Sequence, residues 1–85
     1  MARPNPKEAY LMRVRRLIKE VYSDLGGRRE ELVIIHDFHV FKVKRADKEV
    51  IILQSIFDDY FSDKRREAQE RCMKKIKENL KSLME

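Results

Sequence analysis

The sequence has few of the residues that build disulfide-stapled, membrane-spanning or turn-rich proteins. It holds one cysteine, Cys72, which excludes an intramolecular disulfide and suits a reducing, cytoplasmic setting. Its longest apolar runs are four residues, at 32–35 and 50–53, so we expect no membrane span and no secretory signal. Two glycines, two prolines and no tryptophan argue against disorder and against an all-β fold.

What the chain does contain is charge, unevenly distributed. An 85-residue chain predicts one small domain, here residues 7–85 behind a loose arm at 1–6. The net charge of +5 divides into +4 for residues 1–30, −2 for 31–61 and +3 for 62–85. The basic excess therefore belongs to the two ends of the chain. It is typical either of a surface for anionic partners or of ordinary solvated helix faces.

Both ends show helical periodicity. Residues 7–25 place apolar side chains along one face at a spacing of 3.6, with Asn5 as the expected N-cap and Gly26-Gly27 as the stop. A second helix is predicted from about Ser62 or Asp63, either of which could cap it, to about Leu83.

The middle of the chain predicts a β-hairpin. A long strand over residues 32–44, a turn at 45–48 and a strand over 49–57 are indicated by runs of Val, Ile and Phe. The fold class is therefore α+β in the order α-β-β-α, a two-stranded antiparallel hairpin between two amphipathic helices. One alternative stays open, because apolar residues at helical spacing before Ser62 would let the second helix absorb part of the second strand.

Both faces of this hairpin are apolar, which predicts a homodimer. Two helices cover one face of a narrow sheet, and an isolated hairpin is marginal and leaves its edges unpaired. A second copy, by edge pairing or by stacking, would complete the fold. The alternative is a monomer whose helices straddle the sheet. The expected interface residues are Ile34, Phe38, Val40, Ile52 and Ile56.

Metal chemistry has only weak candidates, which are His36, His39, Asp58 and Asp59. Residues three apart on a strand point to opposite faces, so the two histidines converge only if a bulge lies between them. The alternative is a hydrogen-bonded histidine beside a solvated acidic loop. We therefore predict neither a metal nor another cofactor.

The segment HDFHVFKV, residues 36–43, resembles the His-Asp-Leu-His-Val-Trp segment in the cytosolic domains of cation diffusion facilitator transporters. The resemblance implies an α-β-β-α-β order, a dimer and binding of zinc or a related ion. The predicted helix–strand–strand–helix order fits, although the last strand is missing here. Gln69 stands where such domains often carry a histidine.

No enzyme motif is present, so we predict a non-enzymatic binding or assembly module. There is no Gly-rich phosphate loop and no HExxH, and Cys72 lies on an apolar stripe where a core residue is expected. Nucleic acid is the predicted partner besides a second copy, with no membrane involved. A purely structural or designed scaffold is a further alternative. The residues expected to contact phosphates are Arg13, Arg15, Arg16, Lys19, Lys64, Arg65, Arg66, Lys74, Lys75 and Lys77.

Overall fold

Three helices and a three-stranded antiparallel sheet make up the computed structural model, which describes residues 5–85. The elements are α1 (Pro6–Asp24), β1 (Val33–Asp37), β2 (Val40–Arg45), β3 (Lys48–Leu53), α2 (Gln54–Ser62) and α3 (Arg66–Met84), with a 3-10 turn at Arg29–Glu31 before β1. The α+β class is confirmed. The order α-β-β-α with two strands is not, because the chain has a third strand and a third helix.

Helix α1 forms where its periodicity predicts it. The Asn5 side chain accepts a hydrogen bond from the Glu8 backbone N–H at 2.8 Å, which is the expected N-cap. Gly26, with φ 98°, follows the helix in the left-handed region that glycine favours. Residues 1–4 of the predicted arm lie outside the described residues, while Asn5 and Pro6 already belong to the start of this helix.

The segment predicted as one long strand, 32–44, is in fact a hairpin. Strands β1 and β2 pair antiparallel through a two-residue turn, Phe38-His39, so that Asp37 lies opposite Val40. Phe38 adopts a positive φ of 59° to make this turn. The turn was missed because no Gly, Asn or Pro marks it, and an aromatic residue at that position favours strand.

The second hairpin turn lies where it was predicted, with Arg45 opposite Lys48 and Ala46-Asp47 between them. The second predicted strand, however, ends at Leu53 instead of residue 57, and α2 follows at once. The alternative, in which helical structure begins before Ser62 and replaces part of the second predicted strand, is thus correct for this segment. Ile56, Phe57 and Phe61 fall on one side of this helix and pack into or against the core.

Helix α3 is separate from α2 and begins later than predicted. Ser62 ends α2 and its hydroxyl donates to the Asp58 carbonyl, while Asp63 is the residue after that helix. The N-cap of α3 is Arg65. Neither Ser62 nor Asp63 therefore caps α3. Asp63 lies two residues before the N-cap, and its side chain accepts a hydrogen bond from the Arg65 backbone N–H at 3.0 Å.

One face of the sheet and all three helices enclose the core. Phe41 at the centre of β2 packs edge-on against Phe57 of α2, with ring centroids 5.1 Å apart. Fully buried residues from α1, α3, β2 and β3 surround this pair. They include Val14, Ile18, Tyr22, Val43, Ile52, Ile76, Leu80 and Leu83. No helix among residues 5–85 combines the length and the apolar character that a bilayer crossing needs.

The two adjacent glycines, Gly26 and Gly27, differ in the space around them. A Cβ added at Gly27 would overlap the ring of Tyr22, which is fully buried. We expect Gly27→Ala to lower the free energy of unfolding by about 2 kcal/mol, a typical cost of overpacking, as measured by urea denaturation. At Gly26 there is space for a Cβ, so any loss in Gly26→Ala comes from its positive φ. A Gly27→Ala variant with the same free energy of unfolding as the wild type would contradict the close contact between Gly27 and the Tyr22 ring.

Candidate interface on the outer face of the sheet

The sheet face turned away from the helices carries large apolar side chains in solvent. Antiparallel register places its nine residues in three rows across β1, β2 and β3: Val33, Lys44 and Glu49; Ile35, Lys42 and Ile51; Asp37, Val40 and Leu53. Val33, Ile35, Ile51 and Leu53 are between 40% and 57% exposed. Five of the six large hydrophobic residues exposed in the described chain lie on this face or, in the case of Phe38, at its end. We call these nine residues and Phe38 the outer face.

The charges of the outer face cancel. Lys42 lies at its centre, and its ammonium is 3.2 Å from a carboxylate oxygen of Asp37. Lys44 and Glu49 are directly opposite each other on β2 and β3. The face is therefore neutral on a chain of net charge +5. It is also apolar apart from these four residues.

The dimensions of the outer face limit what it can bind. Three strands and the five residues of β1 cover roughly 10 Å by 13 Å between backbone positions. A standard stable protein interface buries about 800 Å² on each partner, which is more than this area supplies. The outer face suits a weak, reversible contact better than a permanent one.

The predicted dimer residues fall on both sides of the sheet. Ile52 is fully buried, and Ile34 and Ile56 pack against the core, so these three are wrongly assigned to an exposed surface. Val40 and Phe38 do belong to the outer face. For Ile34 the reason is the reversal after Asp37, which changes which residues of β2 share a face with those of β1. Ile52 lies opposite Phe41 on the inner face, and Ile56 belongs to α2 and not to a strand. The outer face also contains Val33, Ile35, Ile51 and Leu53, which were not among the predicted interface residues and whose alternation along β1 and β3 was the available signal.

The metal candidates do not converge. His36 lies on the inner side at the edge of the sheet, with its Nε2 atom 2.9 Å from the Gln54 side-chain oxygen and its ring over Phe41. His39 is in the turn, against the Phe38 ring. Within residues 5–85, no three His, Cys, Asp or Glu side chains are grouped as a metal site would require. The residues present do not fit the ion that the transporter resemblance implies.

Asp58, another metal candidate, is used to hold two helices together. The Tyr10 hydroxyl donates a hydrogen bond to it at 2.5 Å, joining the start of α1 to α2. Burial and this bond raise the pKa of Tyr10 well above its ordinary value. Asp59 lies exposed one residue further along α2.

The cations predicted to contact nucleic acid are exposed, apart from the half-buried Lys19, but lie in different electrostatic surroundings. Arg65 pairs with Asp63 at 2.8 Å, and its hydrogen bonds hold the pKa of that carboxyl down at about 2. Arg66 pairs with Glu70 on α3. The other eight form no ion pair with the described residues, and four of them lie on α1: Arg13, Arg15, Arg16 and Lys19.

Comparison with protein-family models, with curated proteins and with solved structures finds no match to this chain.

Proposed function

We propose that this protein is a non-enzymatic assembly module that forms a reversible homodimer through the outer face of its sheet. The observation that carries the proposal is the concentration of exposed Val, Ile, Leu and Phe side chains on that one face. Contiguous apolar patches on a protein surface mark interaction sites, and burying them releases ordered water. The core does not need a second copy, because the helices already enclose the inner face.

Charge favours a second copy as the occupant of this face. Two molecules that each carry a net charge of +5 repel one another over most of their surfaces. At the outer face Lys42 and Lys44 are balanced by Asp37 and Glu49, so two copies approach there without net repulsion. A nucleic acid would find no excess of positive charge on this face.

Sedimentation of the intact chain tests the proposal. Across about 1 µM to about 500 µM, the range in which small interfaces dissociate, we expect the mass to rise from 10.3 kDa towards twice that value. Circular dichroism should show a folded chain at the dilute end. A mass that stays at 10.3 kDa throughout would overturn the proposal.

A second candidate function is binding of nucleic acid by the outward side of α1. Support comes from the four α1 cations that have no acidic partner among the described residues. Arg13 lies over the Phe61 ring at 4.5 Å, while Arg15 and Arg16 reach into solvent. Helices α1 and α3 each carry three acidic residues, and those of α1 all lie outside the span from Arg13 to Lys19 that holds the four cations.

This second candidate predicts a salt-dependent affinity that α1 controls. Each phosphate contact contributes a slope of about −0.9 to the logarithm of the binding constant against the logarithm of salt concentration. We expect the double variant Arg15→Gln/Arg16→Gln to reduce the slope for duplex DNA by about 2, measured by fluorescence anisotropy. The matched control is Lys74→Gln/Lys75→Gln on α3, which should change the slope less. Equal effects of the two double variants, or a slope near zero in the wild type, would contradict the assignment to α1.

A further inference from the structure

Phe38 makes a turn for which its side chain is poorly suited. The hairpin turn Phe38-His39 has a positive φ, 59°, at its first residue only. This is the pattern of a two-residue turn in which glycine is strongly preferred at the first position. A residue with a Cβ is strained in this conformation, and a bulky aromatic one is a clear outlier.

The folded chain offers little to offset that strain. The Phe38 side chain is 81% exposed, and its one aromatic neighbour is the His39 ring, 4.2 Å away between centroids. The second hairpin provides a comparison, because Ala46 has φ 54° at the same position of its turn. Because alanine forms the same turn without an exposed aromatic ring, the backbone geometry alone does not explain a phenylalanine at position 38.

The turn holds Phe38 at the end of the outer face. Asp37 and Val40 flank it as the last pair of β1 and β2, and Leu53 of β3 is next to Val40. The His39 carbonyl accepts a hydrogen bond from the Gln54 backbone N–H at 2.9 Å, which ties the turn to the first residue of α2. Phe38 is therefore held on a fixed support at the end of the strands that carry Val40 and Leu53.

We infer that Phe38 is the anchor of the homodimer, a side chain kept in a strained turn because it packs against the second copy. This inference rests on the proposed function. Aromatic residues at rigid positions contribute most to interfaces, since little side-chain entropy is lost when they bind. Fixing such a residue at the edge of a small apolar face compensates for the limited area of that face.

Three variants test the anchor: Phe38→Gly, Phe38→Ala and, as the control in the other turn, Ala46→Gly. We expect both changes at Phe38 to raise the dimer Kd about tenfold or more in sedimentation equilibrium. In dilute solution Phe38→Gly should keep or raise Tm by a few degrees, because it relieves the turn. Ala46→Gly should shift Tm in the same direction and leave the Kd unchanged.

The outcomes separate the anchor from the dimer itself. Wild-type dimers whose Kd is unaffected by both Phe38 variants would overturn the anchor and leave the dimer standing. A Tm for Phe38→Gly below that of the wild type would show that the ring serves folding, which also overturns the inference. A wild type that stays monomeric overturns the anchor together with the proposed function.

Discussion

Replacing Ile51 with lysine is expected to abolish self-association while the chain remains folded. Ile51 lies in the central row of the outer face, directly opposite Lys42 on β2. The variant places a second ammonium beside the first and would bury both against a partner, which costs far more than an apolar contact gains. Sedimentation should show only the 10.3 kDa species at concentrations where the wild type is dimeric.

Met12→Lys is the matched control for this variant. Met12 is 56% exposed on α1, close to the 53% of Ile51, but it lies away from the sheet. Both variants add one positive charge and remove one exposed apolar side chain, so general repulsion should affect them alike. We expect Met12→Lys to dimerise as the wild type does. Equal loss in both variants would indicate that net charge, and not the outer face, governs association.

Phe41→Ala is expected to give the largest loss of stability in the chain. Phe41 is fully buried at the centre of β2 and lies between His36 and Phe57, with ring centroids 4.7 Å and 5.1 Å away. Replacing a buried phenylalanine with alanine lowers the free energy of unfolding by about 3–5 kcal/mol, and edge-to-face contacts increase the stabilisation that the ring contributes. Since a small domain has about 5–15 kcal/mol in total, the variant should be partly unfolded at 37 °C.

Urea denaturation of dilute protein measures this loss, with Phe38→Ala as the control. The two variants make the same chemical change three residues apart, at Phe38 in the β1–β2 turn, which is exposed, and at Phe41 in β2, which is buried. Only Phe41→Ala should lower the free energy of unfolding by several kcal/mol. Similar free energies of unfolding for the two variants, or a wild type that unfolds on dilution, would contradict the claim that a single chain forms a complete core.

The helices at the two ends of the chain could be predicted because their signals are local. Asn5 and Gly26 mark the ends of α1 by side-chain and backbone chemistry that operates within a few residues. Helix α2 has no comparable local signal, since the segment from Val50 to Phe57 is apolar apart from Gln54 and Ser55 and is compatible with both a strand and a helix. The choice is made by packing, which places Phe57 against Phe41 only if the chain turns into a helix after Leu53.

The apolar character of both sheet faces could also be predicted, but not the membership of each face. A strained turn at Phe38 leaves no trace in composition, because its sequence favours the strand conformation that the chain does not adopt there. The reversal after Asp37 places Ile34 opposite Val43 on the inner face, while Ile52 lies on that same face through its pairing with Phe41. The register in which strands pair depends on tertiary structure. A shift of one residue moves each side chain of a strand from the core face of the sheet to the solvent face.

A mixed-label NMR experiment tests the central claim most directly. Wild-type protein labelled with ¹³C is mixed with unlabelled protein at a concentration that favours the dimer, and isotope-filtered spectra detect contacts between copies alone. We expect contacts from the methyl groups of Val33, Ile35, Ile51 and Leu53 and from the Phe38 ring to the second copy. Contacts confined to α1 or α3, or a dimer with no contact from these five side chains, would contradict assembly through the outer face.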